Sequence, residues 1–225
     1  KSNARLYSYA QERKINFIKC GKLVVACNLR ERKQLIKIKE NAERNNIKVN
    51  LISKKKIEEL EPKLNVEYAL FSENTGIVDV HELMINFVTD IENSGGIINY
   101  NSKFSFSENS KNYISFYVNG DYSFKIKKKV LINCAGLTST ILAKKIDGIE
   151  KRMIPKMRFV KGNYMSLKGI SPFTKLVYPI PQRDGLGIHS TLNLQGKTIF
   201  GPDTVNIDNI NFKATENIEG KFKQS

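Results

Sequence analysis

Apolar residues recur along the first third of the chain at helical and then at strand spacing. Leu6, Tyr9 and Ala10 fall three and four apart and predict a helix over Asn3–Arg13; an apolar run predicts a strand over Gly21–Ala26. Leu35, Ile38 and Ala42 place a second helix over Glu31–Asn45, and Val49–Ile52 reads as a short extended piece. Ser53 can cap a small helix that stops at Leu60-Glu61-Pro62, where proline disfavours continuation. The strongest helical signal follows Gly76-Ile77-Val78-Asp79. Val80, Leu83, Met84, Phe87, Val88 and Ile91 share one face, Asp79 with Glu82 forms a capping-box-like start, and Gly95 supplies a left-handed stop. From Ile97 the period becomes two, giving a strand to Phe106 and then Tyr113–Val118 and Tyr122–Ile126 around an Asn119-Gly120 hairpin turn.

That hairpin leads into the stretch around which the chain is organised, Lys127–Ala143. Val130-Leu131-Ile132 reads as a buried strand, Asn133-Cys134-Ala135-Gly136 as a small-residue turn, and Thr138 or Ser139 as the opening of a helix. Small residues let the main chain approach a ligand closely, and a helix start offers free N–H groups to an anion. By itself this is also the pattern of a plain β-turn-α corner. After Pro155 the texture turns to strands and turns: Arg158–Leu167, Leu176–Tyr178, Gly187–Leu194 and Thr198–Phe200 predict one antiparallel sheet. The fold class expected is therefore mixed α+β.

Composition narrows the picture little. Forty per cent hydrophobic residues over 225 positions support a real core, and 37 basic against 22 acidic residues give a net charge of +15. Such a charge raises nucleic acid or an anionic membrane as partners, but the lysines are spread along the chain rather than clustered. A positive field favours an anionic cofactor and a carboxylate substrate. Cys20, Cys27 and Cys134 are odd in number and lack ligand spacing, so neither a disulfide framework nor a metal site is expected, and a reducing compartment is. No apolar run approaches the ~20 residues of a spanning helix. The lack of an initial methionine and of a closing element after Lys221 leads us to expect an internal fragment of a longer protein.

Several stretches together resemble the FAD-dependent oxidoreductases of the D-amino-acid-oxidase-like superfamily. The superfamily-level pieces are Leu60-Glu61-Pro62, Gly76-Ile77-Val78-Asp79, the Gly95-Gly96-Ile97-Ile98 strand start and the Asn133–Gly136 turn. Within it, Cys20–Ala26, Lys161-Gly162-Asn163-Tyr164, Tyr178-Pro179-Ile180-Pro181, Gly185-Leu186-Gly187-Ile188-His189 and Phe200-Gly201-Pro202-Asp203 resemble the L-2-hydroxyglutarate dehydrogenase/oxidase family. The resemblance implies FAD as cofactor, a partial FAD-binding Rossmann-like part at 1–20 and 53–150, and an antiparallel-sheet substrate domain at 21–52 and 151–225. The family opens with a GxGxxG phosphate loop that this sequence lacks, so the chain alone is expected to bind FAD poorly and to be inactive.

The same resemblance implies where the sites lie. Phe104 aligns with a main-chain contact to adenine, and Cys134, Ala135 and Gly136 with the turn passing close to the dinucleotide, Cys134 being read as a small buried thiol. The reaction implied is oxidation of a 2-hydroxy acid, most specifically L-2-hydroxyglutarate to 2-oxoglutarate, which needs cations, phenols and a base of near-neutral pKa. Of the two histidines, His81 lies on a helix side turned to solvent. His189 shares a polar sheet face with Gly187, Thr191 and Asn193, and is the candidate base. Lys161, Tyr164 and Tyr178 are candidate carboxylate-binding or orienting groups, with Lys161 and Tyr164 on opposite faces of their strand. The expected partners are a small dicarboxylate and an electron acceptor, quinone or oxygen, with no nucleic acid. The expected location is the cytoplasm, with peripheral association at the inner face of a membrane left open. Two other readings stay open here: a flavin amine oxidase of the glycine- or sarcosine-oxidase type, and a non-catalytic basic module that binds nucleic acid.

Overall fold

Three helix starts are fixed by side chains that cap them. A computed structural model describes residues 2–120, 124–181, 185–216 and 219–223. The chain opens with α1 (Ser2–Glu12), β1 (Phe17–Ile18), β2 (Lys22–Ala26), α2 (Leu29–Arg44), β3 (Asn50–Ile52), α3 (Lys54–Leu60), β4 (Tyr68–Ser72), β5 (Ile77–Val78) and α4 (Val80–Asn93). The Asn28 side chain accepts from Glu31 N at 2.9 Å while the Glu31 carboxylate accepts from Cys27 N at 2.8 Å, so α2 starts two residues earlier than its apolar period suggests. Ser53 caps α3 and Asp79 caps α4, as expected. Gly95 takes a positive φ of 77° at the end of α4, with its N–H on the Glu92 carbonyl.

The chain continues through β6 (Lys103–Asn109), β7 (Ile114–Asn119), β8 (Phe124–Lys128), α5 (Ser139–Ala143), β9 (Phe159–Ser166), β10 (Leu176–Tyr178), β11 (His189–Leu192), β12 (Thr198–Ile207) and α6 (Glu219–Lys223). It divides into two compact units, one of residues 1–89, 160–205 and 212–225, the other of residues 90–159 and 206–211. This division cuts across the cofactor and substrate parts expected from the sequence. The reason is strand pairing: β4, expected with the cofactor part, bonds to both β2 and β3, expected with the substrate part.

The first unit holds a seven-stranded sheet in the order β3-β4-β2-β10-β11-β12-β9. β10 runs parallel to β2 and antiparallel to β11, which is antiparallel to β12, so the predicted late sheet forms and annexes the early strands. Alternation along β2 sends Leu23 into one core with Ile57 of α3, Val66 and Ala69, and Ala26 into another with Leu35 of α2, Leu70 and Ile180. Full burial of a side chain such as Leu35 contributes roughly 1.5–3 kcal/mol. Glu61 is 1% exposed. One of its oxygens accepts from Thr174 N at 2.7 Å, Thr174 Oγ1 at 2.7 Å and Lys175 N at 2.6 Å, tying the end of α3 to the entry of β10.

In the second unit β6, β7 and β8 form an antiparallel meander with a bulge between Phe104 and Phe106. The Asp147 carboxylate accepts from Asn109 N at 3.0 Å and so holds the segment after α5 on this sheet. Several apolar runs expected to be inside are not. Val130 and Ile132 are 69% and 77% exposed and belong to no strand, and Ile97, where a strand was expected to begin, is 84% exposed, β6 starting only at Lys103. A strand exists only when a neighbour takes its backbone groups, and no described strand lies against either run. For the same want of a covering surface the stripe of α4 has no fully buried residue, Val80, Met84, Phe87 and Ile91 all being exposed. The predicted strand from Tyr122 is seen from Phe124; Tyr122 itself lies outside the described residues.

Candidate functional site

Sheet register builds one cluster in the first unit. Val177 of β10 is opposite Ser190 of β11, which sets Tyr178 beside His189 on one face. Their rings stack at 3.9 Å between centroids and 15° between planes. Tyr164 of β9 meets the same imidazole edge-on, at 6.4 Å and 76°. Its place is enforced from β12: a Cβ on Gly201 would lie 2.6 Å from Tyr164 Cδ1 and 2.8 Å from the Asn163 carbonyl, so only glycine fits there. Two residues on, buried Asp203 accepts from Asn163 N at 2.9 Å and Asn163 Nδ2 at 2.7 Å and locks β9 to β12.

His189 is 6% exposed, so the face expected to be polar is closed over it by aromatic rings. Its Nδ1 lies 3.0 Å from the Gly187 carbonyl. A carbonyl only accepts, so in the neutral ring Nδ1 carries the proton and Nε2 the lone pair. Burial holds the imidazole below its ordinary value of 6.5; the Gly187 bond acts upward and the Lys22 charge downward. Burial likewise raises the Tyr178 phenol, with lesser contributions from Tyr164 and Cys20, so it stays protonated at neutral pH. The cluster thus joins an uncharged base to a protonated phenol. Lys161 is not part of it: on the opposite face of β9, its Nζ donates to the Lys213 carbonyl at 3.1 Å.

The second unit brings the other predicted residues together. Asn133 staples the turn, donating from Nδ2 to the Ser139 carbonyl at 2.8 Å and accepting from Ala135 N at 3.2 Å. Gly136 has φ +53° and nothing within 4 Å of an added Cβ, so the turn is open on that side. A cavity of about 270 Å³ beside it is lined by Phe104, Phe116, Leu131, Cys134 and Ala135 among others, placing three of the four predicted cofactor residues on one surface. Two expectations need correcting. Cys134 is exposed rather than buried, because the run Val130–Ile132 that leads into the turn joins no sheet and lies largely exposed itself. The helix expected at Thr138 is only a 3₁₀ turn, Gly136–Thr138, followed by the five residues of α5, so it provides no extended helix N-terminus for an anion.

A family model described as FAD dependent oxidoreductase matches residues 1–224. The chain belongs to the FAD-dependent oxidoreductase family. A mitochondrial L-2-hydroxyglutarate dehydrogenase of Arabidopsis thaliana is 29% identical over 229 residues, covering 88% of this chain and 47% of that protein. The chain spans about half the length of the curated relatives it matches. Among solved structures, L-proline dehydrogenase from P. horikoshii superposes with a TM-score of 0.81 at 17% identity, covering 99% of this chain and 59% of that one. An L-α-glycerophosphate oxidase from Mycoplasma pneumoniae with FAD bound gives a TM-score of 0.72 at 21% identity, covering 83% and 50%.

The FAD-dependent oxidoreductase fold accounts for the mixture of helices and sheets, and FAD is the cofactor of the family. The Asn133–Gly136 turn suits the group in one respect: after Asn133, whose side chain is taken up in bonds to Ser139 and Ala135, it carries only small residues, and Gly136 faces open space. Sequence reasoning passed over one member of the aromatic cluster. Lys22 Nζ lies 5.1 Å from the centroid of the Tyr178 ring. Nothing within the Cys20–Ala26 motif signals it, because the ring beside Lys22 is set by the distant pairing of β10 with β2. Among the described residues no group of three or more His, Cys, Asp or Glu side chains could hold a metal ion, and no helix is long and apolar enough to cross a membrane.

Proposed function

We propose that this chain works within a flavoenzyme that oxidises a 2-hydroxy acid, L-2-hydroxyglutarate to 2-oxoglutarate. The observation that carries the reading is the buried His189, its Nδ1 bonded to the Gly187 carbonyl and its rings of contact both tyrosines. Oxidation at C2 removes a hydride from carbon and a proton from the hydroxyl, leaving a ketone. Bound FAD supplies the hydride acceptor. The proton is the concern of this chain: His189 Nε2, neutral and unshared, takes it from the hydroxyl as the carbonyl forms. In this reading the protonated Tyr178, and Tyr164 at the rim, donate to substrate oxygens. Phe104, Cys134, Ala135 and Gly136 are the residues we assign to the cofactor side. The L-2-hydroxyglutarate dehydrogenases among the relatives support this substrate over an amino acid. Three unpaired cysteines suit a reducing compartment, a condition met by the cytoplasm and equally by the mitochondrion of the relatives' names.

The test is His189→Asn in the holoenzyme, read as the rate of flavin reduction by L-2-hydroxyglutarate. Loss of a general base lowers that rate by roughly two to four orders of magnitude with flavin content unchanged. A raised KM at unchanged turnover would make His189 an orienting group, and wild-type behaviour in both would remove it from the site.

A further inference from the structure

Lys22 is half-buried on β2, and among the described residues it has no carboxylate partner. An ammonium drawn partly out of water is stabilised only weakly by the Tyr178 ring face it lies against, so an anion brought beside it would gain a charge-assisted partner. Its position also selects which anion. In the sheet order β2-β10-β11, Lys22 and His189 flank Tyr178 from the two neighbouring strands, and backbones two strands apart are about 10 Å from each other. A carboxylate bonded directly to the carbon whose hydroxyl meets His189 sits beside the imidazole, on the near side of the phenol. One at the far end of a five-carbon acid extends across Tyr178 toward Lys22.

We propose that Lys22 binds the distal carboxylate of the substrate and is the residue that makes the site select diacids over monoacids. This rests on the function proposed above. Burial keeps the His189 imidazole, the Tyr178 phenol and the neighbouring Cys20 thiol on their neutral side, so Lys22 brings the formal charge. A lysine suits this end of the substrate, since a compact charge on a flexible stem follows a freely rotating carboxylate without demanding bidentate geometry.

The experiment compares L-2-hydroxyglutarate with L-2-hydroxypentanoate, in which a methyl group replaces the distal carboxylate, in wild-type, Lys22→Met and Lys22→Arg holoenzyme. Lys22→Met should lower kcat/KM for the diacid by roughly 10- to 100-fold, the weight of one charge-assisted hydrogen bond, and leave the monoacid within about threefold. Lys22→Arg should recover part of the loss. An equal fall for both acids, or no fall for either, overturns the proposal. If the wild-type enzyme oxidises no 2-hydroxy acid, it is the functional reading that has failed. Calorimetric binding of glutarate then decides on Lys22: binding that disappears in Lys22→Met supports the anion site, and unaltered or undetectable binding refutes it.

Discussion

Replacing Glu61 with alanine removes three hydrogen bonds at once, those from Thr174 N, Thr174 Oγ1 and Lys175 N, all to a carboxylate that is itself buried. Each bond to a charged acceptor is worth about 1.5–3 kcal/mol. The Thr174 hydroxyl can rotate to water, since Thr174 is exposed, so the lasting loss is that of the two backbone donors. The expected destabilisation is about 3–5 kcal/mol. Glu61→Gln keeps an oxygen in the same place and loses only the charge, so about 1–2 kcal/mol is expected. Thr174→Val, which removes a single bond, should cost about 1 kcal/mol. Urea titration followed by far-ultraviolet circular dichroism measures all three. A loss below about 1 kcal/mol for Glu61→Ala, or equal losses for Gln and Ala, would refute the view that the carboxylate oxygen organises the entry to β10. The consequence for the site is direct: Lys175 leads into Leu176–Tyr178, so Glu61→Ala should also loosen the ring on which His189 stacks.

Three further outcomes are expected. Because the folded His189 has a pKa below the ordinary 6.5, the unfolded chain binds more protons just under that pH; stability should fall as pH drops through about 6.5 and level off once the folded value is passed. A pH series of urea midpoints for wild type and His189→Phe checks this, and identical profiles would sink it. Gly201→Ala forces a Cβ against Tyr164 and the Asn163 carbonyl at φ +145° and should cost about 2–4 kcal/mol, partly relieved by Tyr164→Ala; full stability in Gly201→Ala would contradict the packing described. The 225-residue chain by itself should not retain FAD through gel filtration, since its sequence lacks a GxGxxG phosphate loop; a yellow chain with one flavin bound would overturn this.

Local signals read well wherever the partner lies close in sequence. Ser53, and Asp79 with Glu82, are caps settled within three residues, and the late strands carry their own turns; the Asn28 cap of α2 is equally local but was passed over. Non-local choices were hidden. Val130–Ile132 has the composition of a buried strand, but burial needs a neighbour that the run cannot name, and it lies exposed. β4 was missed because its five-residue run, Tyr68–Ser72, shows no clean alternation of apolar and polar positions, although it anchors both β2 and β3. In the aromatic cluster, His189 stood out by alternation and scarcity, while Tyr164 and Tyr178 were singled out only through the family resemblance. Lys22 was not, because nothing in a lysine on a central strand says which ring lies beside it until β10 is known to pair with β2.

That last pairing has a consequence in time rather than in space. One edge of β2 is satisfied early, by β4, but the other is closed only by β10, roughly 150 residues later in synthesis. At typical rates of chain elongation the edge stays open for about 10–30 s. Throughout that interval a nascent chain presents an unpaired strand of Leu23, Val24 and Val25, the kind of edge that recruits other strands. Lys22 stands at the head of that strand, and a charge there discourages a foreign strand from docking in register. The residue proposed to read the substrate's far carboxylate would thus guard the sheet during its making, before there is any pocket to serve.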